Sequence, residues 1–221
     1  MERATEMEGG RSPALPPLPG SFFARPSLVV ARDLLGRLLV RRLHEATLVA
    51  RVVECEAYQQ DDPASHSFRG VTTRTEVMFG PAGRLYVYFT YGMHFCMNVV
   101  TGDEGEGSAV LLRAAEPLEG LDWMRRRRGV VDPRLLCSGP GRLTQAFGIG
   151  RGDNGMDLLS ARGLFLAPGR PLEDERVGVG PRVGITLAAD RPWRFYELEN
   201  PFVSRASRLR PAASGRGGRR R

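Results

Sequence analysis

An α+β fold is predicted for this chain of 221 residues. Short β-branched and apolar runs are interspersed with helical segments, without the regular βαβ alternation of a parallel sheet. The length suits one globular domain with a sizeable core. No internal repeat is present, and no apolar run reaches the roughly 20 residues that span a bilayer. These observations disfavour a repeat protein and a membrane-spanning protein.

Turn residues and apolar patterns place the elements in order along the chain. A helix over 28–35 is expected to begin at the capping residue Ser27 and to end at Gly36. Further helices are expected at 117–127 and 139–149, and strands at 38–43, 47–58, 85–90, 94–101, 108–114, 164–167, 182–188 and 195–197. Residues 61–83 are predicted to form a long polar loop, and a loop of that length in a compact domain is usually functional.

The positive charge is concentrated at the C-terminal end. The net charge is +7, but seven of the 32 arginines follow residue 204, and the 25 before it equal the 25 acidic residues in number. Residues 205–221 are predicted to form a disordered, arginine-rich tail, which either contacts phosphates without sequence preference or only aids solubility. Residues 1–20 are also predicted to be disordered, which leaves 21–204 as the folded domain.

Composition excludes several kinds of chemistry. All 32 basic residues are arginine, so a lysine Schiff base is excluded, and the N-terminal amine is the only primary amine. Three widely spaced cysteines suggest reduced thiols in an intracellular protein. There is no Cys-x-x-Cys or paired-histidine motif, so no structural zinc is expected. The first residues lack an apolar core, so no signal peptide is predicted.

Residues 85–98 hold five aromatic rings around a Tyr91-Gly92 step, which indicates a β-hairpin. Three of these rings are tyrosines, and a buried tyrosine hydroxyl needs a hydrogen-bond partner. Aromatic residues at a hairpin tip can stack on nucleic-acid bases or wedge between them. An aromatic hairpin packed inside a core explains the pattern equally well.

The predicted strand over 47–58 carries a charged face. Strand side chains alternate, so Glu54, Glu56 and Tyr58 share one face while Cys55 points the other way. One of two like charges so placed can have a raised pKa and act as an acid or base, unless the face is merely exposed. The following loop brings His66 close. A carboxylate, an aromatic face and a neutral imidazole together could hold a flat heterocycle and activate water.

Six segments between residues 22 and 204 resemble the alkyladenine (3-methyladenine) DNA glycosylase family, and they follow one another along the chain in the order typical of that family. They are Glu54-Cys-Glu-Ala-Tyr58, Asp62-Pro-Ala-Ser-His66, Val77-Met-Phe-Gly-Pro81, Leu85-Tyr-Val-Tyr-Phe-Thr-Tyr-Gly-Met-His-Phe-Cys-Met-Asn98, Leu111-Leu-Arg-Ala114 and Leu136-Cys-Ser-Gly-Pro-Gly-Arg-Leu143. The two ends of the chain lie outside the resemblance.

The resemblance implies a single compact α+β domain with a mixed or antiparallel curved sheet, peripheral helices and a protruding β-hairpin. It implies a monomeric, monofunctional DNA glycosylase without lyase activity, cofactor or metal. This enzyme would flip damaged purines out of double-stranded DNA and excise them by hydrolysis, which starts base excision repair. The implied bases are 3-methyladenine, 7-methylguanine, hypoxanthine and ethenoadenine. The implied location is the cytoplasm, at the nucleoid, or the nucleus in a eukaryote.

The resemblance also implies roles for individual residues. Glu56 would be the general base for the attacking water, and Arg113 would support that carboxylate and the nucleotide backbone. The pocket for the flipped base would be lined by Tyr58, His66, Tyr88 and Asn98, with the amide of Asn98 helping to exclude guanine.

Tyr91 would fill the gap left in the duplex, while Met93 and Leu111 would make apolar contacts near the lesion. The other hairpin aromatics, Tyr86, Phe89 and Phe95, are expected in the core. Two other functions remain open. One is a non-catalytic nucleic-acid-binding module, although acids near phosphate would be costly there. The other is a hydrolase for small N-glycosides, which would not need a wedge or a basic tail.

Overall fold

The computed structural model describes residues 15–90 and 92–204, and an antiparallel sheet is the centre of that part. Its strands are β1 Leu38–Arg42, β2 Thr47–Tyr58, β3 Leu85–Thr90, β4 His94–Val100, β5 Ala109–Glu119, β6 Leu164–Ala167, β7 Val177–Gly180 and β8 Arg194–Glu197. The order across the sheet is β3-β4-β5-β2-β1-β6, and β8 joins β2 to β7. The predicted tail 205–221 and residues 1–14 of the segment predicted to be disordered, 1–20, lie outside the described residues. Within the rest of that segment, Leu18 is buried in the core.

Strand β2 is the axis of the sheet because it pairs along both edges. One edge pairs with β5 over almost its whole length, and the other pairs first with β1 and then with β8. Register shifts interrupt the pairing with β5 on both sides of Glu54. Residues 52–57 are all buried, including Glu54 and Glu56. The charged face of this strand therefore lies inside the protein, so its acids need partners.

Four α-helices occur in the described part of the chain. They are α1 Gly20–Phe23, α2 Ser27–Asp33, α3 Leu121–Arg128 and α4 Pro140–Phe147. Helices α2 and α4 pack on the sheet, and α3 packs on α4. The core joins residues from helices and strands, such as Val30 of α2, Leu112 of β5 and Phe147 of α4. The predicted long loop between β2 and β3 contains two short 3₁₀ turns, His66–Arg69 and Glu76–Phe79.

The α+β class and the antiparallel sheet are confirmed, but the helix predicted over 117–127 begins too early. Strand β5 continues to Glu119 because residues as far as that position pair with β2. Gly120 has a φ of 76°, a left-handed conformation that suits glycine, and α3 begins after it. At the other helix, Pro26 occupies the N-cap position and Ser27 is the first helical residue.

The strand predicted over 182–188 is wrong. Those residues form an irregular loop, and the strand lies earlier, at Val177–Gly180, where it pairs with β8. The side chain of Arg182 is buried against Asp62, and the backbone N–H of Val183 donates to Glu56. These long-range contacts, rather than a strand ladder, hold the segment in place. The same contacts bring the loop to the functional site described next.

Candidate active site

A cavity of about 340 Å³ opens where the long loop, the β3–β4 hairpin and the 183–185 loop meet β2 and β5. Its volume and its mixture of aromatic and polar groups are typical of a small-molecule site. Its lining residues are Tyr58, Ala64, Ser65, His66, Met78, Tyr86, Tyr88, Thr90, Cys96, Asn98, Leu111, Arg113, Pro140, Val183, Gly184 and Ile185. Six of the predicted site residues therefore line one cavity: Tyr58, His66, Tyr88, Asn98, Leu111 and Arg113.

Glu56 lies directly behind the cavity wall and is held by three of its lining residues. Its Oε1 accepts the backbone N–H of Val183 at 2.7 Å and lies 3.2 Å from Nη1 of Arg113. Its Oε2 accepts the hydroxyl of Tyr58 at 2.9 Å. The side chain is 0% exposed, so these donors replace the water that an ionised carboxylate would otherwise bind. The predicted base therefore lies next to the predicted pocket.

Burial raises the pKa of Glu56 above its usual value, as predicted for one of the two strand acids. The charge of Arg113, the N–H of Val183 and the hydroxyl of Tyr58 oppose this rise, while the nearby Glu54 adds to it. A carboxyl group with a raised pKa is a stronger base than an exposed one. Burial also raises the pKa of Tyr58 well above its usual value, so its hydroxyl remains a donor.

His66 is brought to the cavity by the first 3₁₀ turn of the long loop. Its Nε2 lies 3.2 Å from Nη2 of Arg74, and its Nδ1 lies 3.0 Å from the hydroxyl of Tyr86. Because a guanidinium only donates, Nε2 accepts and Nδ1–H donates to Tyr86. Burial, reinforced by the charge of Arg74, lowers the pKa of His66 to about 4. The imidazole is therefore neutral at physiological pH.

Tyr88 and Asn98 complete the wall on the hairpin side. The ring of Tyr88 meets that of His66 edge to face, with the centroids 4.5 Å apart. Burial raises the pKa of Tyr88 far above its usual value. The amide Nδ2 of Asn98 donates to the carbonyl of Tyr86 at 3.2 Å. Asn98 pairs with Leu111 across β4 and β5, so strand register places both residues at the cavity.

Met93, in the hairpin turn, lies apart from this cavity. It is 68% exposed, while Tyr91 lies outside the described residues. Of the other aromatics expected in the core, Tyr86 is buried there, and its hydroxyl also reaches His66 at the cavity. The expectation for Phe89 is wrong, because that ring is 43% exposed. Phe95 packs against the main core, as expected.

A basic groove adjoins the cavity and shares Thr90, Cys96 and Pro140 with it. It adds Arg128, at the end of α3, and Arg142, in the first turn of α4. None of the described residues that line this groove is acidic. Residues 1–204 have no net charge, yet this groove presents two guanidinium groups beside the cavity. Such groups suit phosphate oxygens.

Several residues at or near the site were not predicted from the sequence. Val183, Gly184 and Ile185 were assigned to a strand, and nothing nearby in sequence links them to Glu56. Arg194 was also missed, although its Nε donates to Glu54 Oε1 at 2.6 Å. Tyr86 was expected in the core and not at the site. Its hydroxyl was the one local indication of a role there, because a buried tyrosine needs a polar partner.

The described residues also bear on the expectations for metal sites, membrane-spanning helices and disulfides. No group of three or more histidine, cysteine, aspartate or glutamate side chains in 15–90 and 92–204 is arranged to hold a metal ion. No helix in this part of the chain is long and apolar enough to cross a membrane. All three cysteines are buried free thiols.

Comparison with known proteins agrees with the geometry. The sequence model of the family described as "Methylpurine-DNA glycosylase (MPG)" matches residues 21–201. Three similar relatives are each named "Putative 3-methyladenine DNA glycosylase". The protein from Methanoculleus marisnigri is 54% identical over 190 residues, which cover 85% of this chain and 98% of the relative.

The second relative, from Carboxydothermus hydrogenoformans, is 49% identical and covers 85% of this chain and 98% of its own length. The third, from Nitrosospira multiformis, is 48% identical and covers 86% and 95%, respectively. The match therefore includes the whole sheet and every residue that lines the cavity. The resemblance inferred from the sequence motifs is confirmed, and the chain belongs to the methylpurine-DNA glycosylase family.

Proposed function

We propose that this DNA glycosylase is a monofunctional hydrolase that flips damaged purines out of double-stranded DNA and excises them. Its family makes it a DNA glycosylase for alkylated bases. The proposal adds the substrates 3-methyladenine, 7-methylguanine, hypoxanthine and ethenoadenine, and an abasic site as the product. The observation that carries it is the buried Glu56, whose pKa is raised, directly behind a cavity with aromatic and hydrogen-bonding walls.

Glu56 is proposed as the general base. A water bound at the edge of the cavity attacks C1′ of the sugar, and Glu56 takes the proton from that water. The bond between C1′ and the base nitrogen breaks, and the base leaves with its electron pair. Arg113 lines the cavity and lies 3.2 Å from Glu56, so its charge both favours the ionised carboxylate and faces the flipped nucleotide.

The cavity wall is proposed to hold the flipped base. Rings of Tyr58, His66 and Tyr88 provide faces and edges for stacking, and electron-rich tyrosine faces favour the positive charge of an N3- or N7-alkylated purine. Alkylation also weakens the glycosidic bond, so such a base needs little further activation. The second amide hydrogen of Asn98 would oppose the exocyclic amine of guanine, because both groups donate.

The hairpin is proposed to hold the duplex open. Tyr91 would occupy the space that the flipped nucleotide leaves, which offsets part of the few kcal/mol lost in unstacking. Exposed Met93 and the cavity residue Leu111 would make apolar contacts near the lesion. Arg128 and Arg142 of the basic groove offer charges to the phosphates beside the lesion.

The absence of lysine supports a reaction without strand cleavage. A glycosylase that also cuts the strand by β-elimination forms a Schiff base with an amine, and this chain has only its N-terminal amine. A monomer is proposed, since one chain supplies the whole cavity. No cofactor is invoked, because water and a carboxylate suffice to hydrolyse the weakened bond of a cationic alkylated purine, and a neutral base such as hypoxanthine leaves once it has taken up a proton.

The test is single-turnover excision from duplex oligonucleotides that each carry one of the four lesions, with an undamaged duplex as the control. We expect release of free base from the damaged duplexes, and strand breaks only after alkaline treatment. Release of none of the four bases would refute the assignment and favour a non-catalytic binding module. Strand breaks without alkali would refute the absence of lyase activity. Equal cleavage of the free damaged nucleosides would favour a small N-glycoside hydrolase.

A further inference from the structure

Asp62 and Arg182 form an ion pair that is completely enclosed by protein. Both side chains are 0% exposed, and both Nη atoms of Arg182 donate to the carboxylate, with Nη2 lying 3.0 Å from Oδ1. Neither residue lines the cavity. A buried pair of charges is weak evidence for stability alone, because desolvation opposes the attraction between the charges. The position of this pair therefore calls for a different explanation.

The pair joins three segments that form the walls of the cavity. Arg182 Nη1 also donates to the carbonyl of Ala57 at 3.0 Å, between Glu56 and Tyr58 on β2. Asp62 accepts the N–H of Ala64 at 3.2 Å, which fixes the start of the segment that carries His66. Together, the two side chains connect β2, the 62–66 segment and the loop that follows Arg182.

Arg182 also acts on two groups that touch the proposed base. Its guanidinium carbon lies 4.6 Å from the ring centroid of Tyr58, so it packs against the ring whose hydroxyl donates to Glu56. The next residue, Val183, donates its backbone N–H to the same carboxylate at 2.7 Å. A shift of Arg182 would therefore move two of the three donors that surround Glu56.

We infer that Asp62 and Arg182 are positioning residues, which clamp the cavity walls so that Tyr58 and Val183 hold Glu56 in the orientation needed to activate water. This inference rests on the proposed function, in which Glu56 is the base. A misplacement of about 1 Å in a catalytic group can lower a rate by about 100-fold. Loss of the clamp therefore lowers the excision rate even in a protein that remains folded.

The decisive variant is the double substitution Asp62→Leu with Arg182→Met. It removes both fully buried charges at once and leaves only the partly exposed Arg191, 3.8 Å from Asp62, without this partner. Such apolar replacements often preserve folding. The variant Arg182→Lys keeps the charge but loses the two-pronged geometry. The control is Arg51→Met, which removes another arginine with two acidic partners, Glu116 and Glu197, none of which lines the cavity.

The experiment measures single-turnover excision at saturating enzyme, the affinity for lesion DNA and the thermal midpoint. In the double variant we expect the rate to fall by about 100-fold with little change in affinity. Arg182→Lys should recover part of that rate, and Arg51→Met should stay within about twofold of the unmodified protein. A double variant that folds and excises at the unmodified rate would overturn the inference.

The pH dependence adds a readout that a purely structural role would not change. Glu56 is faced by Glu54 and Tyr58 of its own strand, Arg113 of β5, Tyr88 of β3 and Cys96 of β4. The N–H of Val183 lowers the pKa of Glu56. Without the clamp that donor is displaced, so the pKa rises and the acidic limb of the rate profile moves to higher pH. An unshifted limb in a slow double variant would contradict the inference.

Amide hydrogen exchange separates this inference from the proposed reaction. In the double variant the amides of Val183 and Ala64 should exchange faster, while those of β1 keep their protection. Unchanged exchange at both amides would refute the clamp whatever the activity. If the unmodified protein excised no lesion, the proposed function would fail, and the exchange measurement would still decide whether the pair clamps the walls.

Discussion

Two regions of β2, centred on Glu54 and Glu56, have the same chemistry in sequence but different surroundings. Both carboxylates are 0% exposed and both contact Arg113. Around Glu54, Oε1 accepts from Arg113 at 3.1 Å and from Arg194 at 2.6 Å, while Oε2 accepts the N–H of Ser204 at 2.8 Å. These contacts join β2 to β5, to β8 and to the last described residue of the chain.

Among the described residues, Glu56 contacts one arginine, and its other donors are the Tyr58 hydroxyl and the Val183 amide, both part of the cavity wall. Burial raises the pKa of Glu56, because the one guanidinium and the two neutral donors offset only part of the effect of burial. The second arginine, Arg194, is what distinguishes the surroundings of Glu54 from those of Glu56. A carboxylate held by two guanidinium groups ties the fold together, whereas one that shares a guanidinium beside a cavity remains a usable base.

The largest effect is expected from Glu56→Gln. The amide keeps the shape of the side chain but cannot accept a proton from water, so single-turnover excision should fall by about 1,000-fold. Affinity for lesion DNA should be retained, because the cavity wall is unchanged. Comparison with Glu54→Gln under the same conditions tests the distinction, since that variant should lose far less activity. Equal losses would mean that the two acids act as one unit.

The next largest effect is expected on stability, from Glu54→Gln. Loss of this charge leaves Arg113 and Arg194 buried with one carboxylate fewer, which typically costs about 3 kcal/mol. Denaturant unfolding measures the change. Glu116→Gln is a matched control. It also removes the carboxylate partner of an arginine, here Arg51, but at a partly exposed site. The control should cost less than about 1 kcal/mol, and a similar loss in both variants would remove the special status of Glu54.

A smaller effect, with a clear pH dependence, is expected from Tyr58→Phe. The hydroxyl of Tyr58 lowers the pKa of Glu56, so its removal raises that pKa further. In the proposed reaction Glu56 acts as the ionised base, so a higher pKa moves the rising limb of the rate profile to higher pH. Excision should fall by about tenfold at acidic pH and less at alkaline pH. A uniform loss at every pH would instead indicate that the ring of Tyr58 only contacts the flipped purine.

The sequence predicted the shared face of Glu54 and Glu56 because side chains alternate along a strand. It also placed His66 near that face, because the long loop follows β2 directly. The alternation along the strand did not distinguish the two acids; only the family resemblance pointed to Glu56. The groups that distinguish them, Val183, Arg194 and Ser204, lie 127, 140 and 150 residues away from their carboxylate partners. No local pattern encodes such contacts.

The hairpin illustrates the same limit. Its strands were predictable from β-branched and aromatic residues around a Gly turn, and the register confirms the pairing. Whether each ring is buried was less predictable, because burial depends on which segments cover the hairpin. Tyr86 is covered by the segment that carries His66, whereas Phe89 is left 43% exposed. Burial of individual side chains is a property of the assembled tertiary structure.

The smallest effect is expected from Ser204→Ala. The hydroxyl of Ser204 makes only a long contact of 3.4 Å with Nη2 of Arg113, whereas its backbone N–H donates to Glu54 at 2.8 Å. Alanine keeps that N–H, so stability should change by less than about 1 kcal/mol and excision by less than about twofold. Ser204→Pro removes the N–H itself and leaves a buried carboxylate oxygen with one donor fewer, so its loss should be larger, about 1–3 kcal/mol. Equal losses in both variants would show that the hydroxyl, rather than the backbone, ties this end of the chain to Glu54.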